Sequence, residues 1–197
     1  MKILTVADII VKELLESMGG GPAIDDIEVI FGCGDLPPEY LAALCNRYDC
    51  PLYYVLGNHD IRHDSYPPPG CMQLDRQIIK LGSTRVTGFS GSRWYNGNSN
   101  QYTEKQMARF IRQMRFGLWR SRGVDLIVTH APPRFIGDAE DLCHRGFRTF
   151  HTLIDRYNPR YFIHGHIHAL FEDDAERVTR VNSTSVINSC GYYVLEI

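Results

Sequence analysis

Short apolar segments with β-strand character alternate along the chain with helical segments, which is typical of an α/β protein. Five of the apolar segments, well separated in the sequence, end in a side chain that can bind a metal ion. These side chains are Asp8, Asp35, Asn58, His130 and the pair His166 and His168. In open α/β sheets the loops at the carboxyl ends of the strands converge, so we expect these side chains to meet at one site.

The predicted strands are short and bounded by turn residues. They span residues 2–7, 27–31, 52–56, 77–80, 84–88, 124–129, 161–164, 177–181, 184–188 and 192–196. The predicted helices span residues 11–18, 38–48, 103–120 and 146–157, and a polar Gly/Asn loop spans residues 91–101. Neither a linker nor a repeat divides the sequence, which predicts a single domain over residues 1–197.

The composition limits the classes of function. Hydrophobic residues make up 44% of the 197 residues and charged residues 22%, as in an ordinary globular protein. The net charge is -2, so a nucleic-acid substrate is not indicated. A signal peptide and a membrane-spanning segment are not expected either, and the sequence predicts a cytoplasmic protein. The six cysteines form no Cys-x-x-Cys pair, which argues against a structural zinc site built from them.

Two of the strand ends carry several polar side chains. Gly57-Asn58-His59-Asp60 presents an amide, an imidazole and a carboxylate on one sharp turn. In Gly165-His166-Ile167-His168, alternation along an extended segment would point both histidines to the same side. A single Gly-Asp after a strand usually reflects turn chemistry, so the argument depends on the order of all the motifs together.

This order of motifs, from Asp8 to His168, resembles the calcineurin-like metallophosphoesterase family, and in particular its small prokaryotic members. The resemblance implies a four-layer α/β/β/α sandwich of two mixed sheets with the site at one edge. It also implies a phosphoesterase that hydrolyses phosphodiesters or phosphomonoesters by attack of a metal-bound hydroxide.

The resemblance further implies a role for each matching residue. Asp35 would bridge two divalent ions, because a carboxylate has two oxygens that can each bind a cation. The other ligands would be Asp8 and His168 for the first ion, and Asn58, His130 and His166 for the second. This set lacks a thiolate and suits manganese first, with iron, nickel or zinc as alternatives. His59 would stabilise or protonate the leaving oxygen, and Asp60 would orient the His59 ring by a hydrogen bond.

The chain departs from the family at one position. The first motif is normally Asp-x-His, and here it reads Asp8-Ile9-Ile10, so that Ile10 cannot coordinate a metal ion. Three outcomes are open: water fills the vacancy and leaves a weaker site, Glu13 reaches in from the next helix, or the first site stays mostly empty. We favour water, because the other ligands and His59 are retained.

The loss of this ligand also supports an alternative function. The chain would then be a protein-interaction scaffold on a phosphoesterase fold, comparable to the retromer subunit of this family. The retention of His59 argues instead for an enzyme, since a scaffold does not require a leaving-group acid.

Two further segments contain candidate substrate contacts. Arg93 can hold a phosphate oxygen while Trp94 or Tyr95 stacks on a leaving group, although a solvated loop is the alternative. His144 and Arg145 can contact substrate from the loop after the fourth motif, although helix capping and ordinary surface charge are the alternative. The oligomeric state and the physiological substrate are not predicted.

Overall fold

The computed structural model of the chain describes residues 1–16 and 24–197. Its first sheet has five strands, in the spatial order β13 (Gly191–Glu196), β1 (Lys2–Ala7), β2 (Val29–Gly32), β3 (Leu52–Tyr54) and β4 (Cys71–Gln73). Its second sheet has six strands, in the order β11 (Val178–Val181), β12 (Thr184–Asn188), β10 (Tyr161–His164), β9 (Leu126–Thr129), β6 (Thr84–Phe89) and β5 (Ile78–Leu81). A short parallel pair joins β7 (Ser92–Arg93) to β8 (Gln101–Tyr102).

Three α-helices flank the sheets. They are α1 (Pro38–Tyr48), α2 (Glu104–Arg120) and α3 (Phe150–Tyr157). Thr103 begins α2 with a capping box, in which its side chain and that of Gln106 each accept a hydrogen bond from the other residue's backbone N–H. Lys12–Leu14 and Asp174–Arg177 form short 3-10 turns.

The packing of β1 shows how the layers are arranged. Ile3 and Ala7 belong to the core between the two sheets, whereas Leu4 and Val6 pack with α1 on the outer side. This alternation is the two-residue period of a strand buried on both faces. On the other side, α2 and α3 cover the second sheet through a core that includes Phe150. The architecture is therefore the predicted α/β/β/α sandwich of two mixed sheets.

Both sheets are mixed, because a set of parallel strands is bordered by an antiparallel strand at one edge of the first sheet and at both edges of the second. In the first sheet β1, β2, β3 and β4 run parallel and β13 is antiparallel. In the second sheet β12, β10, β9 and β6 run parallel, and β11 and β5 are antiparallel. Contacts between the segments after β1 and β10, and between those after β2 and β9, place the carboxyl ends of both parallel sets at one edge.

Three sequence predictions need correction. The predicted helix 11–18 is only the 3-10 turn Lys12–Leu14, because Leu14 alone of these three residues is buried; residues 17 and 18 lie outside the described part of the chain. The helix predicted to begin at residue 146 begins at Phe150. The loop 91–101 contains the strand β7. Among the described residues, no helix has the length and apolarity that crossing a membrane requires.

Candidate metal centre

The predicted ligands are brought to one edge by turns of unusual backbone conformation. Asp8, Asp35 and His166 each follow a strand and adopt φ values of 64°, 56° and 69°. Residues other than glycine rarely occupy this left-handed region, and when they do so they often lie at functional sites. The turns redirect the chain where it leaves β1, β2 and β10.

Two glycines allow these turns to approach closely. A Cβ atom on Gly57 would lie 2.0 Å from Oδ1 of Asp35. A Cβ atom on Gly34, which has a φ of 93°, would lie 2.5 Å from Nδ1 of His130. Neither separation is sterically possible, so the site requires glycine at both positions.

Three oxygen and nitrogen atoms with lone pairs converge at the centre of the site. The Nδ1 atom of His130 lies 2.9 Å from the carbonyl oxygen of Cys33, which can only accept, so Nδ1 carries a proton. In the neutral ring, Nε2 then has a lone pair, and it lies 3.1 Å from Oδ1 of Asn58 and 3.4 Å from Oδ2 of Asp35. The Nδ2 atom of Asn58 donates to the hydroxyl of Tyr95 at 3.2 Å, which fixes the orientation of the amide.

The electrostatics of this centre favour a cation. Burial raises the pKa of the Asp35 carboxyl, but His130 and the N–H of His59 hold it well below its usual range. Burial lowers the pKa of His130, but Asp35 and then Asp8 outweigh this effect and raise it to about 9. A proton on His130 thus compensates the buried carboxylates, and a divalent ion at the same position would replace that proton.

His166 completes a three-residue cluster with this centre. One ligand atom each from Asp35, His130 and His166 lies within 4.8 Å of the others. The Nε2 atom of His166 donates to the carbonyl oxygen of Cys143 at 2.7 Å, which leaves Nδ1 with the lone pair. Burial and the neighbouring His130 lower the pKa of His166 to about 3, so its ring is neutral and able to coordinate. These residues therefore fit a divalent ion of the kind that the family uses.

Asp8 and His168 are less closely assembled with Asp35. Both oxygens of the buried Asp8 carboxylate share the backbone N–H of His166, at 3.1 and 2.9 Å. The Nε2 atom of His168 lies 3.6 Å from Oδ1 of Asp8, and the His168 side chain is 59% exposed. Ile10, at the position of the missing ligand, is 46% exposed. The side chain of Glu13, the candidate substitute ligand, is exposed.

The predicted reason for the convergence of His166 and His168 is wrong. The strand β10 ends at His164, and the left-handed conformation of His166 interrupts any extended alternation. The two rings nevertheless lie on the same side of the molecule, because both pack against the ring of His144, with centroid distances of 5.2 and 6.3 Å. His164 is a buried structural histidine whose Nδ1 atom bonds to the carbonyl of Gly165.

The predicted hydrogen bond between Asp60 and His59 is also absent from the described residues. The Oδ2 atom of Asp60 accepts instead from the backbone N–H groups of Asp35, at 2.8 Å, and Gly57, at 2.7 Å. The Asp60 side chain is buried in this turn, whereas that of its neighbour His59 is exposed. Asp60 therefore holds the backbone that presents Asp35, and its Oδ1 atom lies 3.7 Å from Nδ1 of the buried His63.

His59 borders a cleft beside the metal centre. The cleft has a volume of about 240 Å³ and is lined by Asp35, Leu36, Pro37, Pro38, His59, Asp60, Arg62 and His63. The backbone N–H of His59 donates to Oδ1 of Asp35 at 2.8 Å, while the His59 side chain is exposed. This arrangement places an imidazole at the solvent side of the buried ligands.

The candidate substrate residues lie at different distances from the centre. His144 contacts two of the predicted ligands, as described above. Arg93 is half-buried in β7, and its guanidinium makes no hydrogen bond or ion pair with another described residue. Trp94 is exposed, whereas Tyr95 reaches the centre through its bond to Asn58. Arg145 donates from Nε to the carbonyl of Glu140 and thereby supports its own loop.

Sequence reasoning missed three contacts of this site: the hydroxyl of Tyr95 on Asn58, the carbonyl of Cys143 on His166, and the position of His63 beside Asp60. The sequence indicates Tyr95 only as a stacking residue. A backbone carbonyl has no sequence signal, and His63 belongs to no motif.

Comparison with known proteins supports this description of the fold. Solved structures with a similar fold include the Thermus thermophilus protein TT1561, with 13% identity, a TM-score of 0.65 and coverage of 96% of this chain and 89% of that one. A dimetal phosphatase from Danio rerio has 10% identity, a TM-score of 0.59 and coverage of 98% and 91%. The phosphoesterase YfkN from Bacillus subtilis has 14% identity, a TM-score of 0.56 and coverage of 98% and 83%.

At these identities the structural matches show the fold alone, and a search of curated proteins finds no match. The sequence model of the calcineurin-like phosphoesterases matches residues 1–170, which include all the predicted ligands. The chain therefore belongs to the calcineurin-like phosphoesterase family.

Proposed function

We propose that this protein is a metal-dependent hydrolase of phosphate esters, acting on phosphodiesters or phosphomonoesters. The observation that carries the proposal is the convergence of lone-pair atoms from Asp35, Asn58 and His130 on a buried position with a deficit of positive charge. When bound, divalent cations would neutralise charge on the phosphoryl group and lower the pKa of a coordinated water. Manganese is our first candidate, since the donor set lacks a thiolate.

Each residue of the candidate site has a distinct role in this proposal. Asp35, Asn58, His130 and His166 would hold the better-formed metal position, and Tyr95 would keep the Asn58 oxygen directed at it. His59, on the wall of the cleft, would donate a proton to the oxygen of the departing group. Asp60 would act indirectly, by fixing the turn that presents Asp35.

Asp8 and His168 would hold the second, weaker position. The fully buried carboxylate of Asp8 can bind a cation, but the third residue of this motif is the exposed Ile10 and not a histidine. Because one protein ligand is replaced by water, we expect this position to fill only at higher metal concentration.

The experiment is hydrolysis of aryl phosphate monoesters and diesters across a manganese titration. We expect metal-dependent turnover in the wild type, and a decrease of about 100-fold or more in kcat for His59→Ala if its ring acts as general acid. Asp35→Asn should abolish turnover, and Ile10→His should lower the manganese concentration needed for half-maximal rate. An absence of turnover at every metal concentration, in Ile10→His as well, would reject a generic phosphoesterase.

A scaffold is the second candidate function, and the substitution at Ile10 is the observation that favours it. The Plasmodium protein GAP50, described as an anchor in the inner membrane complex, shares the fold with 13% identity, a TM-score of 0.57 and coverage of 97% of this chain and 71% of that one. A scaffold would bind metal at Asp35 and His130 without turning over any phosphate ester. The titration above therefore separates the two candidates.

A further inference from the structure

The loop that follows β9 is held firmly against the candidate metal centre. The buried guanidinium of Arg134 pairs with Asp138 at 2.6 Å and with Glu140 at 2.8 Å. At the other end of the loop, the N–H of Gly146 donates to the Asp138 carboxylate at 2.9 Å. The carbonyl of Cys143 accepts from Nε2 of His166 at 2.7 Å. The backbone of this loop is therefore held at both ends and, through the carbonyl of Cys143, in its middle.

Three different metal-binding groups meet in that loop. The Oδ1 atom of Asp141 lies 2.9 Å from Sγ of Cys143 and 2.9 Å from Nδ1 of His144, and the sulfur lies 3.4 Å from the same nitrogen. Contacts between the other described thiols and oxygen atoms measure 3.6 to 4.0 Å. The sulfur of Cys143 is thus unusually close to a carboxylate oxygen. Both atoms also lie close to the Nδ1 atom of the His144 imidazole.

The triangle of donor atoms has the size of one face of a zinc tetrahedron. Zinc binds sulfur at about 2.3 Å and nitrogen or oxygen at about 2.0 Å, so that tetrahedral ligand atoms lie roughly 3.3 to 3.5 Å apart. The observed distances of 2.9 to 3.4 Å are shorter, and the largest change needed around an ion is an opening of about 0.6 Å between the sulfur and the carboxylate oxygen. The side chains of His144 and Asp141 are 37% and 51% exposed, which leaves the fourth position to water.

We propose that Asp141, Cys143 and His144 form an open zinc site on the loop after β9, separate from the cluster of Asp35, His130 and His166. A thiolate, an imidazole and a carboxylate together favour zinc over the harder manganese ion. Binding releases the thiol proton of Cys143 to solvent, because the thiolate is the ligand. Only one cysteine takes part, so the wide spacing of the six cysteines does not oppose this site.

The zinc site would affect the neighbouring centre through the loop backbone. An ion bound to Cys143 and His144 would hold the Cys143 carbonyl on His166 and the His144 ring beside His168. The inference does not depend on phosphoesterase activity, since a scaffold could carry the same site.

Cobalt(II) is the probe, because cobalt bound to a thiolate has a strong charge-transfer absorption in the near ultraviolet. The metal-free protein should show this absorption when cobalt is added in excess of the two positions of the candidate metal centre, and zinc should displace it. Cys143→Ser should abolish it, whereas Cys45→Ser, which removes a thiol outside the loop, should retain it. Asp35→Asn should also retain it, which separates this site from the candidate metal centre.

A second measurement needs no variant. Zinc should slow the alkylation of Cys143 by about tenfold or more in the wild type, since the ion occupies the thiolate, as mass spectrometry would show. The proposal is wrong if the wild type gives no thiolate absorption, if that absorption persists in Cys143→Ser or disappears in Asp35→Asn, or if zinc leaves the alkylation rate of Cys143 unchanged.

Discussion

Replacement of Gly57 by alanine should damage the metal centre through a purely steric effect. The new Cβ would lie 2.0 Å from Oδ1 of Asp35, and 2.6 Å from both Cγ and the backbone nitrogen of the same residue. The contact with Oδ1 must open by about 1 Å or more, because the added methyl leaves no room for the present carboxylate position. Asp35 and the turn that carries it must therefore move relative to Asn58 and His130.

The size of the effect follows from this displacement. A misplacement of about 1 Å in a catalytic arrangement can reduce the rate by about 100-fold. Overpacking of a close contact costs about 1 to 3 kcal/mol of folding free energy. We therefore expect Gly57→Ala to remain folded, to bind manganese more weakly and to lose about 100-fold in kcat/KM on an aryl phosphate ester.

Gly82→Ala is the matched control. Gly82 has a φ of 58° and no atom within 4 Å of its hypothetical Cβ, so alanine there is strained but not crowded. It should lose about 1 kcal/mol of stability and keep wild-type metal affinity and kcat/KM. Calorimetric manganese titration and urea unfolding of both variants make the comparison. Wild-type metal affinity in Gly57→Ala would refute the proposed crowding of Asp35.

The remaining predictions concern the amide orientation, an ion pair and metal removal. Tyr95→Phe leaves the Asn58 amide without its partner, so metal affinity should fall by about fivefold, for a lost bond of about 1 kcal/mol, measured by calorimetry. The Arg85 guanidinium holds the pKa of Asp125 below its usual range, so the ion pair stabilises the fold above the unfolded-state pKa. The stability difference between wild type and Asp125→Asn should therefore shrink as the pH falls from 5 to 3, with activity at pH 7 unchanged; a constant difference in urea unfolding would refute this. Manganese at about 100 times its Kd should stabilise the protein by about 2.7 kcal/mol, seen as a rise in Tm that a chelator reverses.

Ten of the thirteen strands in the described part of the chain and the position of the site could be predicted because local sequence determines them, whereas β4, β7 and β8, of two or three residues each, have no clear sequence pattern. The apolar run 2–7 ends at a polar residue that also begins a turn, and the strand Lys2–Ala7 has those bounds. Proline in the first turn predicted the start of α1, which spans Pro38–Tyr48 as expected. The position of the ligands at one edge followed from the parallel strands, since their carboxyl ends must coincide.

The sequence-based predictions are wrong where a side chain can bond to several partners or where a turn changes its direction. Asp60 is adjacent to His59, but its carboxylate accepts from the N–H groups of Asp35 and Gly57, which are part-buried and buried and therefore require a partner within the protein. His166 and His168 converge through a left-handed turn rather than through strand alternation. The partner of a side chain depends on which polar groups the fold buries and thereby removes from water. Neither the spacing of the residues nor their type predicts which groups these are.

The most direct test of the proposed metal-dependent chemistry is manganese titration of metal-stripped protein, with binding and hydrolysis of an aryl phosphate ester measured on the same samples. We expect no hydrolysis without metal, hydrolysis that rises together with bound manganese, and the loss of both in His130→Ala. Hydrolysis that persists in a chelator, or that His130→Ala leaves unchanged, would contradict the proposal.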